Sequence, residues 1–576
     1  MKTIRRQGAA SEPPRTAAWK PSAANVIASG PAVIAYLAPL LLMILLFTRH
    51  FHDNTLGYYD ADRILMDGVF IHDFIRAFPI FDPLGYALRY YIQYPVLSIG
   101  YRPPFFPFVE ALFMLGFGIH IWVARLALIV MAVAGLVAWT HLLATMFDRA
   151  TAAFSACLLV SLPFFAQWSW YPMAEIPTLS LVMVSACLLH AYVRTARAKL
   201  LYLATVAAAL AVWTKPHAAF AVLWLPWFLL AAWPLREIIA RREIRWSLLL
   251  AAFLMAPLAL ITLWGGDHNL HQITPSLPRS GEAFDWRESA IFHYPLVLFE
   301  EQLTVPVMLL SLGGFVWAVV RRDGRVAIFV LLIVAVYAVF SPMPAKEERY
   351  TIYWLPAFCL FAALPLHYAR SRRSRSLIGA GLAATIVYGA WGTYGLTPNI
   401  RLSFEEAALY TLRHNRGPVI FVNSRNDGYF TYFVRKHDAT GNRFVLRGNK
   451  LLTSSAVKPT SRLAVHARTH AEMREILSRA SVSLIVTEAR AFQEVETHRE
   501  FQRYLRSDDF VLRWSAPIGG NDVRLAGDTL NIYEFVNPMP VDTRDLIMNL
   551  PVVGKRIVLP AHGSEPYIDT MAGGEG

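Results

Sequence analysis

The sequence predicts a polytopic α-helical membrane protein, with about 11 transmembrane helices and a C-terminal extracytoplasmic α/β domain. Three observations carry this expectation. Of the 576 residues, 55% are hydrophobic and only 16% charged, whereas soluble domains carry about a quarter charged residues. The 54 Lys and Arg outnumber the 41 Asp and Glu, for a formal net charge of +13. They gather in short clusters between long apolar runs, which marks membrane topology rather than nucleic-acid binding. Near Thr397 the long apolar runs give way to short alternating strand and helix patterns.

The basic tail, residues 1–28, precedes a first apolar run over about Pro31–Phe47, close to the roughly 20 residues that a bilayer core requires. No small-residue cleavage site follows, so the run reads as a retained signal anchor. Further spans are expected near 121–146, 150–168, 172–194, 199–214, 216–235, 246–264, 303–320, 325–342, 350–368 and 375–394. The run Pro103–Ile119 is ambiguous, and charge decides it. Arg194/Arg197/Lys199, Arg236/Arg241/Arg242/Arg245, Arg321/Arg322/Arg325 and Arg370/Arg372/Arg373/Arg375 join the N-terminal tail on the cytoplasmic side only if this run does not cross. The transmembrane domain is then 29–395, with a first outer loop at 50–120 and further outer segments at Ser169–Glu175, 265–302 and Pro342–Arg349. Cys157, Cys187 and Cys359 lie in apolar runs, which leaves no disulfide framework.

Residues 397–540 read as a small α/β domain on the outer, periplasmic side. Its strands are expected at 418–422, 443–447 and 483–489, then FVLRW and LNIYEF, with helices near 427–436, 470–480 and 492–506. Residues 541–576 read as a Pro-containing tail. There is no P-loop, no GxGxxG and no internal repeat.

The chemistry-bearing residues gather in the outer segments. In GYYDADRILMDGVFIHDF (57–74), Asp60, Arg63 and Asp67 recur at helical spacing, with Tyr58, Tyr59 and Phe70 able to seat the helix at headgroup level. YRPPFFPFVEAL holds Arg102 at the mouth of an apolar helix, and YPMAEIPTLSL sets Glu175 at the outer end of a span. WTKPHAAF and SPMPAKEERYTIYWLP supply Lys215, Lys346, Arg349 and Tyr350. Each has a plainer reading: an i,i+3 ion pair, a snorkelling Arg, or a carboxylate at a helix N-terminus.

Taken together, their order resembles the GT-C glycosyltransferases of the protein O-mannosyltransferase and lipid A aminoarabinose transferase branch. Asp60 and Arg63 match that branch's acidic first-loop motif and Arg102-Pro103-Pro104 its Lys-Pro motif. Glu175 with Pro177 matches its second acidic motif, Thr214-Lys215 its Thr-Lys turn and Arg349-Tyr350 its late basic-aromatic segment. Ala61, Ile64, Arg102 and Pro216 depart from the usual residues. Asp62 stands beside the place of the missing second acid.

The resemblance, over about residues 30–395, implies a sugar transferase acting at the outer membrane surface. The donor would be a polyprenyl-phosphate sugar and the acceptor a glycan, lipid or protein, with membrane lipids as surroundings and no nucleic acid. Such a reaction needs fixed cations where the leaving phosphate gains charge and a carboxylate to accept the acceptor's proton. The catalytic candidates are Asp60 and Glu175, and the phosphate-binding candidates are Arg63, Arg102, Lys215, Lys346, Arg349 and Tyr350. Direct displacement would invert the anomeric centre. No cofactor is required. A divalent metal is left open at Asp267, His268 and His271, where a polar loop is the plainer reading. The competing class is a transporter or flippase of lipid-linked sugars, but His141, His190, Glu110 and Arg125 are too scattered to compose a polar path. The composition suits a bacterial inner membrane.

Overall fold

The structure, a computed structural model, describes residues 30–58, 60–99, 102–264, 291–343, 346–455, 463–521, 525–540, 545–550, 555–559 and 567–570. The expected basic tail 1–28, Tyr59 and the metal candidates Asp267, His268 and His271 lie outside the described residues.

Among the described residues, five helices are long and apolar enough to cross a bilayer: Ile121–Met146, Glu175–Thr195, Arg242–Ile261, Glu348–Tyr368 and Arg372–Gly395. A sixth candidate is the pair Arg149–Ser161 and Pro163–Ser169, bent by 69° at the proline. Shorter apolar helices occupy most other expected spans, at Val33–Phe47, Ala198–Thr214, Pro216–Leu230, Val305–Val320 and Gly324–Phe340. Helix length alone therefore accounts for six of the eleven expected crossings. The chain is an integral membrane protein. Phe105–Phe117 has 13 residues, about 20 Å of helix, short of the roughly 30 Å hydrocarbon core.

The loop expected at 50–120 is built on two helices, Ala61–Ala77 and Pro83–Gln93, which pack through Phe70, Phe74, Tyr86 and Tyr90. The stretch leading into it is stapled by Arg125, at the start of the Ile121–Met146 helix. Its Nη1 donates to the carbonyls of His50, Phe51 and Asp53, its Nη2 to Thr55, and its Nε to Trp170. This buried cation is thus spent on backbone oxygens.

The α/β domain carries strands β1 (Val419–Asn423), β2 (Phe444–Arg447), β3 (Thr453–Ser454), β4 (Ala464–Val465), β5 (Leu484–Glu488), β6 (Phe510–Pro517) and β7 (Thr529–Phe535). The main sheet has the order β2-β1-β5-β7-β6, parallel across β2-β1-β5 and antiparallel beyond. The three parallel strands are buried apolar runs, as a sheet covered on both faces requires. Residues 541–576, expected to be a tail, instead carry β8 (Leu546–Leu550), β9 (Lys555–Leu559) and β10 (Tyr567–Thr570) in an antiparallel sheet. The reason is apolar: Met548 and Ile557 are buried in the same core cluster as Phe421, Leu446 and Ile485.

The domain is clamped to this loop. Helix Asp427–His437 packs on Ala61–Ala77, and Arg435 bonds both oxygens of Asp73, at 2.7 and 2.8 Å. Tyr90 donates to the same carboxylate. Arg447 pairs with Asp427 at 2.6 Å and donates to the Pro95 carbonyl. Gly428 is required here, because a Cβ would lie 2.6 Å from Asp62 Cγ and 2.8 Å from Val96. The apolar core runs without a break from Leu65 and Tyr94 into Phe404, Tyr429 and Phe433.

Candidate active site

Helix ends bring the site together. Asp60 occupies the N-cap of Ala61–Ala77 but makes no side-chain cap bond, so its carboxylate is free to face inward. Arg102 precedes two prolines, which fix the backbone and start Phe105–Phe117. Glu175 opens Glu175–Thr195, Lys215 ends Ala198–Thr214 because Pro216 cannot continue the helix, and Arg349 lies in the 3₁₀ segment Glu348–Trp354.

These five side chains meet. Asp60 Oδ1 accepts from Arg102 Nη2 and Oδ2 from Arg349 Nη2, both at 2.7 Å. Glu175 Oε1 accepts from Lys215 Nζ at 2.5 Å and lies 3.4 Å from Arg349 Nη1. Arg349 Nε stands 3.2 Å from Glu347 Oε2, which also accepts the Tyr58 hydroxyl. The Arg349 guanidinium lies over the Tyr58 ring at 4.5 Å, and Tyr350 lies within cation–π reach of Arg349 and Lys215 at 5.6 and 5.4 Å. Among the described residues, three cations and three carboxylates thus join in one set. Glu175 is fully buried and Arg349 only 3% exposed, while Asp60 and Arg102 are partly open. Withdrawal from water pushes the Asp60 carboxyl up, but Arg102 and then Arg349 outweigh it and hold the group well below the usual carboxylate range.

The remaining expected residues are placed elsewhere. Arg63 is not among the ion-pair partners of Asp60; its charge acts on Asp62 and Lys450, at the α/β domain. The backbone of Asp60 is helical, but its two carboxylate oxygens accept from Arg102 and Arg349 instead. Asp67 likewise turns away and accepts from the Ser98 amide and hydroxyl. Lys346 stands apart, its Nζ donating to the Ser341 carbonyl and lying over the Tyr294 ring. Sequence reasoning missed Glu347, although it lies two residues before Arg349 in KEERY. It also missed His217, which packs 4.5 Å from the Tyr350 ring. Among the described residues no group of three His, Cys, Asp or Glu could hold a metal ion.

Beside this charged set lies an apolar cavity of about 580 Å³, lined by Phe70, Phe74, Pro104, Phe108, Trp213 and Phe253 among others. The two are joined twice. Arg102 pairs with Asp60 and Pro104 lines the cavity; Lys215 pairs with Glu175 and Trp213 lines the cavity. Each link is two residues long, at most about 7 Å of chain. A charged head and an apolar body can therefore be held side by side.

The fold has solved counterparts. The crystal structure of ArnT from Cupriavidus metallidurans bound to undecaprenyl phosphate superposes with a TM-score of 0.57 at 12% identity, covering 89% of this chain and 100% of that one. The same protein in the apo state gives 0.50 at 14% identity, over 79% of this chain and 92% of that one. The fold is GT-C-like. The family model of dolichyl-phosphate-mannose-protein mannosyltransferases matches residues 101–261, the stretch that holds Arg102, Glu175 and Lys215. No curated relative matches by sequence. The GT-C-like core resembles the protein mannosyltransferase and ArnT type.

Proposed function

We propose that this protein is a membrane glycosyltransferase that moves a sugar from a polyprenyl-phosphate donor to an acceptor at the outer face of the membrane, with inversion. The observation that carries the reading is the pair of two-residue links between the charged set and the apolar cavity. A polyprenyl phosphate has this polarity: one anionic group on a long apolar chain. The matched family model and the GT-C-like fold, shared with an enzyme crystallised with undecaprenyl phosphate, support the same donor class.

The charge balance suggests the sequence of events. Before the donor arrives, Asp60 occupies the guanidinium groups of Arg102 and Arg349 and is a weak base. An incoming phosphate competes for the same two guanidiniums. As they turn to it, Asp60 loses the cations that depress its pKa and becomes basic enough to accept a proton. The acceptor oxygen or nitrogen then bonds to the anomeric carbon as the carbon–oxygen bond to phosphate breaks. Asp60 takes the acceptor's proton, and polyprenyl phosphate leaves with the electron pair, stabilised by Arg102 and Arg349. Glu175, fully buried against Lys215, holds Arg349 in place and is the second candidate base. The surrounding membrane is a bacterial inner membrane, with the site and the α/β domain facing the periplasm.

Purified protein supplied with a radiolabelled polyprenyl-phosphate sugar and a cell-envelope extract tests the reading. Transfer of label to extract with release of polyprenyl phosphate is expected. Movement of intact donor across proteoliposomes without bond cleavage would instead make the protein a flippase.

A further inference from the structure

The Ala61–Ala77 helix lies between two very different surroundings. Phe70, Ile71 and Phe74 line the apolar cavity together with Phe253, Leu254 and Pro257. Those three lie seven to eleven residues before the end of the Arg242–Trp264 helix, about 10–16 Å below it at 1.5 Å per residue. That helix is one of the membrane spans, so this face of Ala61–Ala77 sits at hydrocarbon depth. Asp73 instead faces the α/β domain, bonded through both oxygens to Arg435. The helix therefore lies along the boundary, apolar face to the membrane and polar face to the domain.

The chain then turns sharply. Phe78 adopts a left-handed conformation (φ 46°), which bulky residues rarely take, and the connection to Pro83–Gln93 is strongly apolar. Phe78 is 69% exposed, Ile80 57%, Phe81 97% and Leu84 77%. Outside the apolar helices, no other seven-residue stretch among the described residues exposes four large apolar side chains. Charges frame the stretch: Arg76 is exposed on one side, and Asp82 pairs with Arg89 at 2.9 Å on the other. Apolar tips flanked by long charged side chains are the pattern of a segment seated in a lipid interface.

We infer that the Phe78–Leu84 turn dips into the outer leaflet of the bilayer and anchors the first outer loop there. Its partner is the lipid surface itself, because the same helix already places its neighbouring turn at hydrocarbon depth. The anchor would hold the cavity level with the leaflet. That consequence rests on the proposed lipid donor; the insertion does not.

The test uses the full chain with its three native cysteines replaced by alanine and one nitroxide label at Phe81→Cys, and a second preparation labelled at Ile80→Cys. The proteins are reconstituted in phosphatidylethanolamine and phosphatidylglycerol vesicles, with Arg416→Cys on the exposed surface of the α/β domain as the aqueous reference. Collision with oxygen, which concentrates in bilayers, should exceed collision with a water-soluble nickel chelate at 80 and 81. The order should reverse at 416. Chelate-dominated collision at 80 and 81 would put the turn in water and overturn the inference. Shielding from both reagents would show a covering protein surface, such as a second copy, and would overturn it equally.

Discussion

The guanidinium of Arg349 bonds the carboxylate of Asp60 at 2.7 Å across 289 residues of sequence. The start of the Ala61–Ala77 helix and the entry to a late membrane helix are thus tied at the point where the chemistry is proposed.

That tie sets the first prediction. Asp60→Asn keeps the size of the side chain but removes the group that would accept the proton. Transfer should fall about 10²–10⁴-fold. Donor binding should be kept or tightened, because Arg102 and Arg349 lose their competing carboxylate. Glu175→Gln should cost less. Single-turnover assays alongside donor-binding titrations check both, and near-normal transfer by Asp60→Asn would move the base to Glu175.

Arg102→Ala should weaken donor use more than folding. The prolines that follow keep the backbone shape, and a charge-assisted contact is worth about 1.5–3 kcal/mol, roughly ten- to a hundredfold. The change should appear in the KM for donor and in kcat together, because Arg102 is proposed both to bind the phosphate and to stabilise it as it leaves. Unchanged KM and kcat would reduce Arg102 to an interfacial anchor.

Arg435→Ala breaks a pair whose acidic member, Asp73, is buried. Removing one partner of such a pair costs about 3 kcal/mol. The melting temperature should fall, and kcat should fall with it because the Asp60-bearing helix is no longer held from behind. Gly428→Ala should act in the same direction by wedging that contact apart.

The contact is also pH-sensitive in a definite direction. Burial pushes Asp62 up to about 7, with Arg63 opposing and Asp427 reinforcing the shift. A carboxyl whose pKa is raised on folding contributes stability below its unfolded value near 4 and loses it as pH rises through about 7. Asp62→Asn should therefore flatten the fall in melting temperature between pH 4.5 and 7.5 relative to wild type. Asp60, held well below its ordinary value, adds no such slope in this window.

Sidedness has its own test. Impermeant thiol labelling of whole cells should reach Arg416→Cys and miss Arg372→Cys, both of them exposed positions. The reverse pattern would turn the membrane domain over and put the charged set in the cytoplasm.

Much of this was legible from local patterns. Apolar length located the helices, and alternation of short strand and helix patterns located β1, β2 and β5 to within a residue or two. Prolines at 103, 104, 177 and 216 marked helix ends, which is why Arg102, Glu175 and Lys215 could be singled out. What escaped was pairing. The i,i+3 rule offered Arg63 to Asp60, while the partners found are 42 and 289 residues away, and no local periodicity encodes such distances. The β8–β10 sheet escaped for another reason. Its strands lie among prolines and glycines, and only the cover they give to the core through Met548 and Ile557 makes strands of them.

The two-residue links between charge and cavity also act as a ruler. Each fixes a backbone separation of at most about 7 Å, between Arg102 and Pro104 and between Trp213 and Lys215, so a shift of either helix end carries the charged set and the cavity wall together. Lengthening the chain by a residue inside either link would part the two while leaving every side chain of both in place.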